Sequence, residues 1–442
     1  MITLVYPRTP ELLAGGSSAP LGIQYIASYL AANKIKSEII DLTFTSWKEY
    51  KQRLKQVSPK FIGFSIQTPI AKNGLRAIEI AKKICPHAKV IVGGAHATVD
   101  TANMLKNKHV DFLVVGEGEK IFLNIIKGKI KERLVYGEHV EKLDVIPFPN
   151  RKLIDYGKYL RMNHEIEIMM SRGCPYNCIF CQPTQRKLFG DKVKLRSPEN
   201  VVAEIKQIIN NYGSNFIFYF LDDTFTWNLD WLKKFCESVK PLKINWKCST
   251  RVNLIDKEKL EMMKDAGCTF INYGVESGSQ KILNFMRKGI TVKQIKEAFK
   301  MTHKAEILCH AFIIIGTPTE TKEDLEMTVR LIKEIHPDGI QVSIMTPLIG
   351  TDLEKYCLEK AILNIKRLSD YHYCMNDYPI RLENLTKEDL AFYKKKIFLA
   401  WSSTKHKNYI KYFKMLSKPR MFLLYLNIYF KRFYKNIKLA VR

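Results

Sequence analysis

Three cysteines stand at 174, 178 and 181 in the stretch SRGCPYNCIFC, three thiols within eight residues. Gly173, Pro175 and Asn177 mark this stretch as a loop rather than a packed face. Structural zinc wants four ligands and catalytic zinc leans on histidine, yet no histidine lies between His164 and His303. A disulfide would leave one thiol over, and seven further cysteines scattered singly suit a reducing cytoplasm. An iron–sulfur cluster with one iron unligated by protein uses three thiolates well. That open metal position is what lets such a site do chemistry on a bound molecule.

The loop needs a scaffold, and the pattern around it supplies one. Residues 1–127 alternate apolar, β-rich runs (2–6, 37–41, 61–66, 89–94, 111–116) with amphipathic stretches, which predicts a parallel sheet covered by helices. Ligands of such sheets bind beyond the carboxyl ends of the strands, where Ser65, Gly93, Gly94, His96, Gly116, Glu117 and Gly118 fall. The Gly-Gly step serves equally a close backbone approach or a tight turn. A second alternation places strands at 166–171, 216–222, 244–250, 269–275, 308–316 and 339–346. Helical patterns separate them at 199–211, 230–239, 257–266, 292–304 and 322–335. Six units are too few for an eight-unit barrel and predict an open, partial one. The expected α/β organisation is a flavodoxin- or Rossmann-like domain at 1–140, a linker at 141–160, a partial (β/α)6 barrel at 161–358 and a helical, basic region at 359–442.

Cys174-x3-Cys178-x2-Cys181, on the loop after the first barrel strand, resembles the signature of the radical S-adenosylmethionine (SAM) superfamily. The resemblance implies that the thiolates bind three irons of a 4Fe–4S cluster while the SAM amino and carboxylate groups chelate the fourth. An electron then splits SAM into methionine and a 5′-deoxyadenosyl radical. It further implies Phe180 beside the adenine, Asp222 and Asp223 near the SAM ammonium, and Arg251 on the SAM carboxylate, with Ser249 a weaker candidate. Glu276 matches the ribose-binding acid, and Gly316 lies at the strand end beside the adenine. Catalysis needs no protein group beyond the cluster and SAM site. Helix capping for Asp223 and a turn requirement for Gly316 are the competing readings.

VGGAHAT (92–98) and VVGEGE (114–119) ahead of such a barrel resemble the cobalamin-binding radical SAM enzymes, which include methyltransferases and a porphyrin ring cyclase. None of the ten histidines sits in the Asp-x-His-x-x-Gly frame that ligates cobalt in many cobalamin domains. The lower axial ligand is therefore open; His96 serves as a substitute ligand or, on the stronger reading, packs the strand end. The implied activity is C-methylation of an unactivated carbon on a small-molecule or lipid-like substrate. Cyclisation or oxidation without methyl transfer is the alternative, followed by methylthio transfer to tRNA. The tRNA reading is disfavoured, because the first 150 residues contain only Cys85. An electron carrier would want a fourth nearby cysteine, and the next is Cys236.

Hydrophobic content of 46% with 26% charged residues is ordinary for a folded protein, but the formal charge is +27. The last 53 positions hold 14 Lys or Arg and no acid. Within SKPRMFLLYLNIYFKRFYKNIKLAVR (417–442), Phe422, Leu426, Tyr429, Phe433, Ile437 and Val441 share one helical side. That fits peripheral contact with an anionic membrane, docking on the barrel mouth, or a solubilising end. No apolar run approaches the roughly 20 residues that span a bilayer, and the start carries no export signal. The expectation is a cytoplasmic enzyme, peripheral at the inner membrane face through its tail. An external donor such as flavodoxin or ferredoxin would reduce it, and nucleic acid would not be its partner.

Overall fold

Buried strands alternate with amphipathic helices twice along the chain, and each alternation forms its own parallel sheet. The structure is a computed structural model describing residues 1–7, 18–364 and 378–404. The first sheet contains β1 (Ile2–Tyr6), β2 (Ser37–Asp41), β3 (Phe61–Ser65), β4 (Lys89–Gly93), β5 (Phe112–Val115) and β6 (Leu134–Tyr136). Their order is 2-1-3-4-5-6. This is flavodoxin-like winding, with its ligand crevice at the β1/β3 carboxyl ends. The edge strand β6 was not expected; three residues are too few for a pattern to stand out.

The barrel begins with β7 (Glu165–Ile168), and β8 (Ser171–Arg172) follows at once. Then come β9 (Lys194–Leu195), β10 (Ile217–Phe220), β11 (Asn245–Thr250), β12 (Cys268–Glu276), β13 (Leu308–Ile315) and β14 (Gly339–Ile344). Six of these form a parallel sheet in the order 7-10-11-12-13-14, with β7 and β14 as its edges, the open partial barrel that was expected. Helices Pro198–Tyr212, Leu229–Val239, Lys257–Asp265, Val292–Lys304 and Lys322–Ile335 cover it. Helix Lys387–Thr404 packs against Lys322–Ile335, and its Trp401 Nε1 donates to the Pro337 carbonyl at 2.9 Å. The basic stretch 417–442 lies outside the described residues, among which no helix is long and apolar enough to cross a membrane.

The segment read as a linker is bonded on both sides. Asn150 N donates to Ser28 Oγ at 2.8 Å, Tyr159 OH to Asp41 Oδ2 at 2.5 Å, and Arg151 pairs with Glu204 at 2.7 Å. Tyr156 and Tyr159 are buried in the barrel core.

A second seam joins the sheets at the cysteine loop. β8 and β9 form a two-residue antiparallel ladder in which Arg172 faces Lys194, closing the neck of that loop. Arg172 meets Glu119 at 2.5 Å and Glu117 at 3.1 Å, while Lys194 meets Glu117 at 2.5 Å. All four residues are buried, and two cations balance two anions. Removing one member strands a charge, which typically costs about 3–5 kcal/mol. Arg172→Met should lower the unfolding free energy of the metal-free chain, read from urea melts, by an amount on that scale. Replacing the exposed Lys120, which pairs with Glu138, should leave that free energy nearly unchanged.

Candidate active site

Gly173 opens the cysteine loop at φ 98°, a left-handed backbone, and a Cβ there would sit 3.1 Å from the Lys192 carbonyl. Beyond it the backbone is pinned at several points. Ile179 N donates to Met286 O at 3.1 Å, Leu353 N to Ile179 O at 3.0 Å, and Cys181 N to Cys178 O at 3.0 Å. Phe180 is half-buried among the apolar residues beneath the loop, with Lys288 Nζ 5.9 Å from its ring centroid. Cys178 is buried, Cys174 partly so, and Cys181 keeps exposed surface. Burial lifts the Cys174 thiol above its ordinary range.

The two aspartates after β10 divide. Asp222 is buried and accepts from Ser171 N (2.6 Å), Ser171 Oγ (2.6 Å) and Met170 N (3.2 Å), so it holds the strand that leads into the loop. Burial pushes its carboxyl up to about 7 despite those donors. Three of these contacts converge on Oδ1, whereas Oδ2 accepts only from Met170 N at 3.3 Å and keeps acceptor capacity for a ligand. Asp223 interacts electrostatically with Cys174 and Cys181 and makes no hydrogen bond or ion pair among the described residues. Its residue surface is open, but crowding protein around the carboxyl pushes it up to about 6.

Arg251, just past β11, is buried with Nη1 3.7 Å from Cys178 Sγ and its guanidinium 3.7 Å from the Tyr176 ring centroid. Asn253 and the Lys288 carbonyl hold the rest of its fork. Ser249's hydroxyl lies 3.3 Å from Asn272 Nδ2 and 3.4 Å from Tyr219 OH. Glu276 ends β12 at φ 63°, rare for a residue with a side chain, where the register between β12 and β13 shifts. Its carboxylate pairs with Lys288 at 2.6 Å. A Cβ on Gly274 would lie 2.5 Å from Lys288 Nζ, so glycine leaves room for that pair. Tyr176 and Lys288 were not anticipated. Tyr176 stands inside the motif, whereas nothing local singles out Lys288. Burial also raises the Cys181 thiol, and the nearby Lys288 charge opposes that; Arg251 and Lys288 together bring two positive charges that suit an anionic iron–sulfur cluster.

At the first sheet, Ser65 pairs in register with Gly93 at the carboxyl edge. Gly94 takes φ 95°, and a Cβ there would strike the Ile66 carbonyl at 2.7 Å, so the tight turn alone demands glycine. His96 is buried, 3.3 Å from Thr68 Oγ1, and burial pushes its imidazole down toward the neutral form. Glu117 is drawn into the ion pairs described above. Gly116, at φ 87°, abuts the Lys187 and Leu188 carbonyls of helix Thr184–Phe189, so this edge faces the segment after the cysteines. Gln182 Nε2, Thr184 Oγ1 and Gln185 Oε1 are buried there without a hydrogen-bond partner. Unpaired buried polar atoms at a sheet's ligand edge suit a large cofactor bearing amides.

Residues 168–332 match the radical SAM superfamily, and residues 12–126 match the B12 binding domain. The chain is 30% identical to an uncharacterised methyltransferase, PH0819, of Pyrococcus horikoshii, across 90% of this chain and 92% of that one. It is 28% identical to the anaerobic magnesium-protoporphyrin IX monomethyl ester cyclase of Cereibacter sphaeroides, across 76% of this chain and 60% of that one. The fold is similar to that of OxsB, a cobalamin-dependent SAM radical enzyme solved with aqua-cobalamin and SAM bound. That TM-score is 0.71 at 19% identity, covering 96% of this chain and 72% of that one.

Past β13, Gly316 at φ 85° donates its N–H to Glu320 Oε2 at 2.6 Å, as Thr317 N does at 3.1 Å. Burial nonetheless pushes the Glu320 carboxyl from an ordinary 4.5 up to about 8. A raised folded pKa means stability present below about 4.5 and lost as pH climbs through 8. Glu320→Gln keeps the acceptor but does not titrate, and any fixed cost of the amide cancels between pH values. From pH 5 to 9, urea melts should move in favour of the variant by about 2–4 kcal/mol.

Proposed function

This chain belongs to the radical SAM superfamily and carries a B12-binding domain ahead of its barrel, and from that premise we propose that it methylates an unactivated carbon of a small molecule. Cys174, Cys178 and Cys181 would hold three irons of a 4Fe–4S cluster and leave the fourth to SAM. When bound, the cluster and SAM supply a 5′-deoxyadenosyl radical that takes hydrogen from carbon, and cobalamin supplies the methyl group.

The protein's residues bind, orient and shield. Asp223, and Asp222 through the Oδ2 that takes only the Met170 amide at 3.3 Å, offer carboxylate oxygens to the SAM ammonium. Arg251, stacked on Tyr176, offers the Nη1 edge of its fork, which lies toward Cys178, to the SAM carboxylate. Glu276, steadied by Lys288, offers its second oxygen to the ribose hydroxyls. Phe180 and the Gly316 strand end would flank the adenine, with Ser249 nearby. Ser65, Gly93, Gly94, His96 and Gly116 would border cobalamin, with Glu117 supporting that edge from the domain seam. The observation that carries the reading is the pinned trio of thiols beside Arg251 and Lys288, at the barrel end that faces the ligand edge of the first sheet.

The cyclase relative keeps ring closure without methyl transfer as the second reading. Reduction by flavodoxin or ferredoxin and peripheral membrane contact through 417–442 complete the proposal.

Anaerobic reconstitution with iron, sulfide and hydroxocobalamin should yield cluster and cobalamin together, with 5′-deoxyadenosine formed from SAM. Cys178→Ala should abolish SAM cleavage while cobalamin stays bound; retained cleavage means the cluster is misassigned. Methylated product in substrate-containing extracts would decide between the two readings. For the tail, anionic liposomes should float the full chain but not a chain ending at residue 404, and equal flotation removes the membrane contact.

A further inference from the structure

At the amino ends of the barrel strands, opposite the cysteine loop, a second set of metal-binding side chains converges. His303 comes from the last turn of helix Val292–Lys304, Cys309 from the start of β13, and Asp338 from the residue before β14. Cys309 Sγ lies 3.5 Å from Asp338 Oδ2, and His303 Nδ1 lies 4.0 Å from each of these atoms. Each of the three offers a ligand atom within 4.8 Å of the others. Tetrahedral zinc with sulfur, nitrogen and oxygen ligands needs ligand–ligand separations of roughly 3.3–3.7 Å, so a contraction of a few tenths of an ångström would complete the site.

Two surrounding contacts prepare it. His303 Nε2 lies 3.1 Å from the Ile335 carbonyl. A carbonyl only accepts, so Nε2 carries the proton there; Cys309 Sγ is also 3.8 Å from Nε2, and a small rotation of the ring would bring Nδ1 to the cluster as the ligand atom. Asp338 is fixed by the Cys309 backbone, accepting its N–H at 2.9 Å and donating back to its carbonyl at 2.8 Å. Cys309 and Asp338 are buried, whereas the His303 side chain is 24% exposed, which admits a water as fourth ligand. A thiol–carboxylate hydrogen bond alone would explain Cys309 and Asp338, but not the approach of an imidazole to both, with one ligand atom from each of the three residues within 4.8 Å of the others.

We propose that His303, Cys309 and Asp338 bind one zinc-class divalent cation, separate from the iron–sulfur site. Binding forms a metal–thiolate bond and releases the Cys309 thiol proton to solvent, with no change in oxidation state. The cation would staple helix Val292–Lys304 to the amino ends of β13 and β14, the barrel face where such features serve stability rather than catalysis.

The test uses the full-length chain with Cys174, Cys178 and Cys181 all changed to Ala, so that no iron–sulfur cluster competes. Anaerobic titration with Co2+ should give one equivalent of tetrahedral cobalt absorption, with a thiolate charge-transfer band that Zn2+ abolishes. Cys309→Ser should remove that band, and His303→Gln, at the exposed rim where folding is least at risk, should weaken cobalt binding at least tenfold. As a second measurement, wild-type protein reconstituted with iron and zinc should hold one zinc per chain, lost in His303→Gln. Absence of the thiolate band, or a band and zinc content unchanged by both substitutions, overturns the proposal.

Discussion

The loop bearing Cys174, Cys178 and Cys181 is held at its neck by charge. Arg172 and Lys194 face each other across a ladder only two residues long, too short to fix a loop of some twenty residues by itself. Glu117 and Glu119, arriving from the first sheet, meet both cations in a buried quartet. The same ion pairs set the position of the thiols and the position of the B12-type domain against the barrel. Burying four charges is expensive, and only their mutual neutralisation makes the arrangement tolerable. What the chain gains is two ligand-bearing strand ends held face to face.

Elsewhere in the site the same economy recurs, with one charged group spent on structure so that its neighbour is available for ligand. Asp222 anchors Met170 and Ser171 and leaves Asp223 without a partner beside the thiols. Lys288 holds one oxygen of Glu276 and sends its backbone carbonyl to Arg251. Arg251 in turn spans Asn253, Tyr176 and Cys178. Substitution at Lys288 should therefore mimic loss of ligand contacts by releasing Glu276 and Arg251.

Much of this was legible from the chain. Apolar β-rich runs give eleven strands at the expected places, because a strand buried on both faces needs a continuous apolar stretch. The cysteine spacing, DD at 222–223, Arg251 and Glu276 lie close to strand ends, where a local pattern points to them. What stayed hidden acts across distance. Glu117 and Lys194 are 77 positions apart, and no periodicity announces such a pair. The GEGE stretch looked like a cofactor loop because its glycines permit one, yet its acids serve the seam. Gly94 is required by the Ile66 carbonyl whatever borders it. Lys288 and the two-residue strands β8 and β9 carry no signal longer than themselves.

The central claim is that three protein thiolates leave one iron for SAM. Electron paramagnetic resonance of the anaerobically reconstituted, dithionite-reduced wild-type chain tests it most directly, recorded with and without SAM. The account predicts an iron–sulfur resonance whose shape changes when SAM is added. A resonance indifferent to SAM, or none at all from a chain shown to contain stoichiometric iron and sulfide, would contradict it.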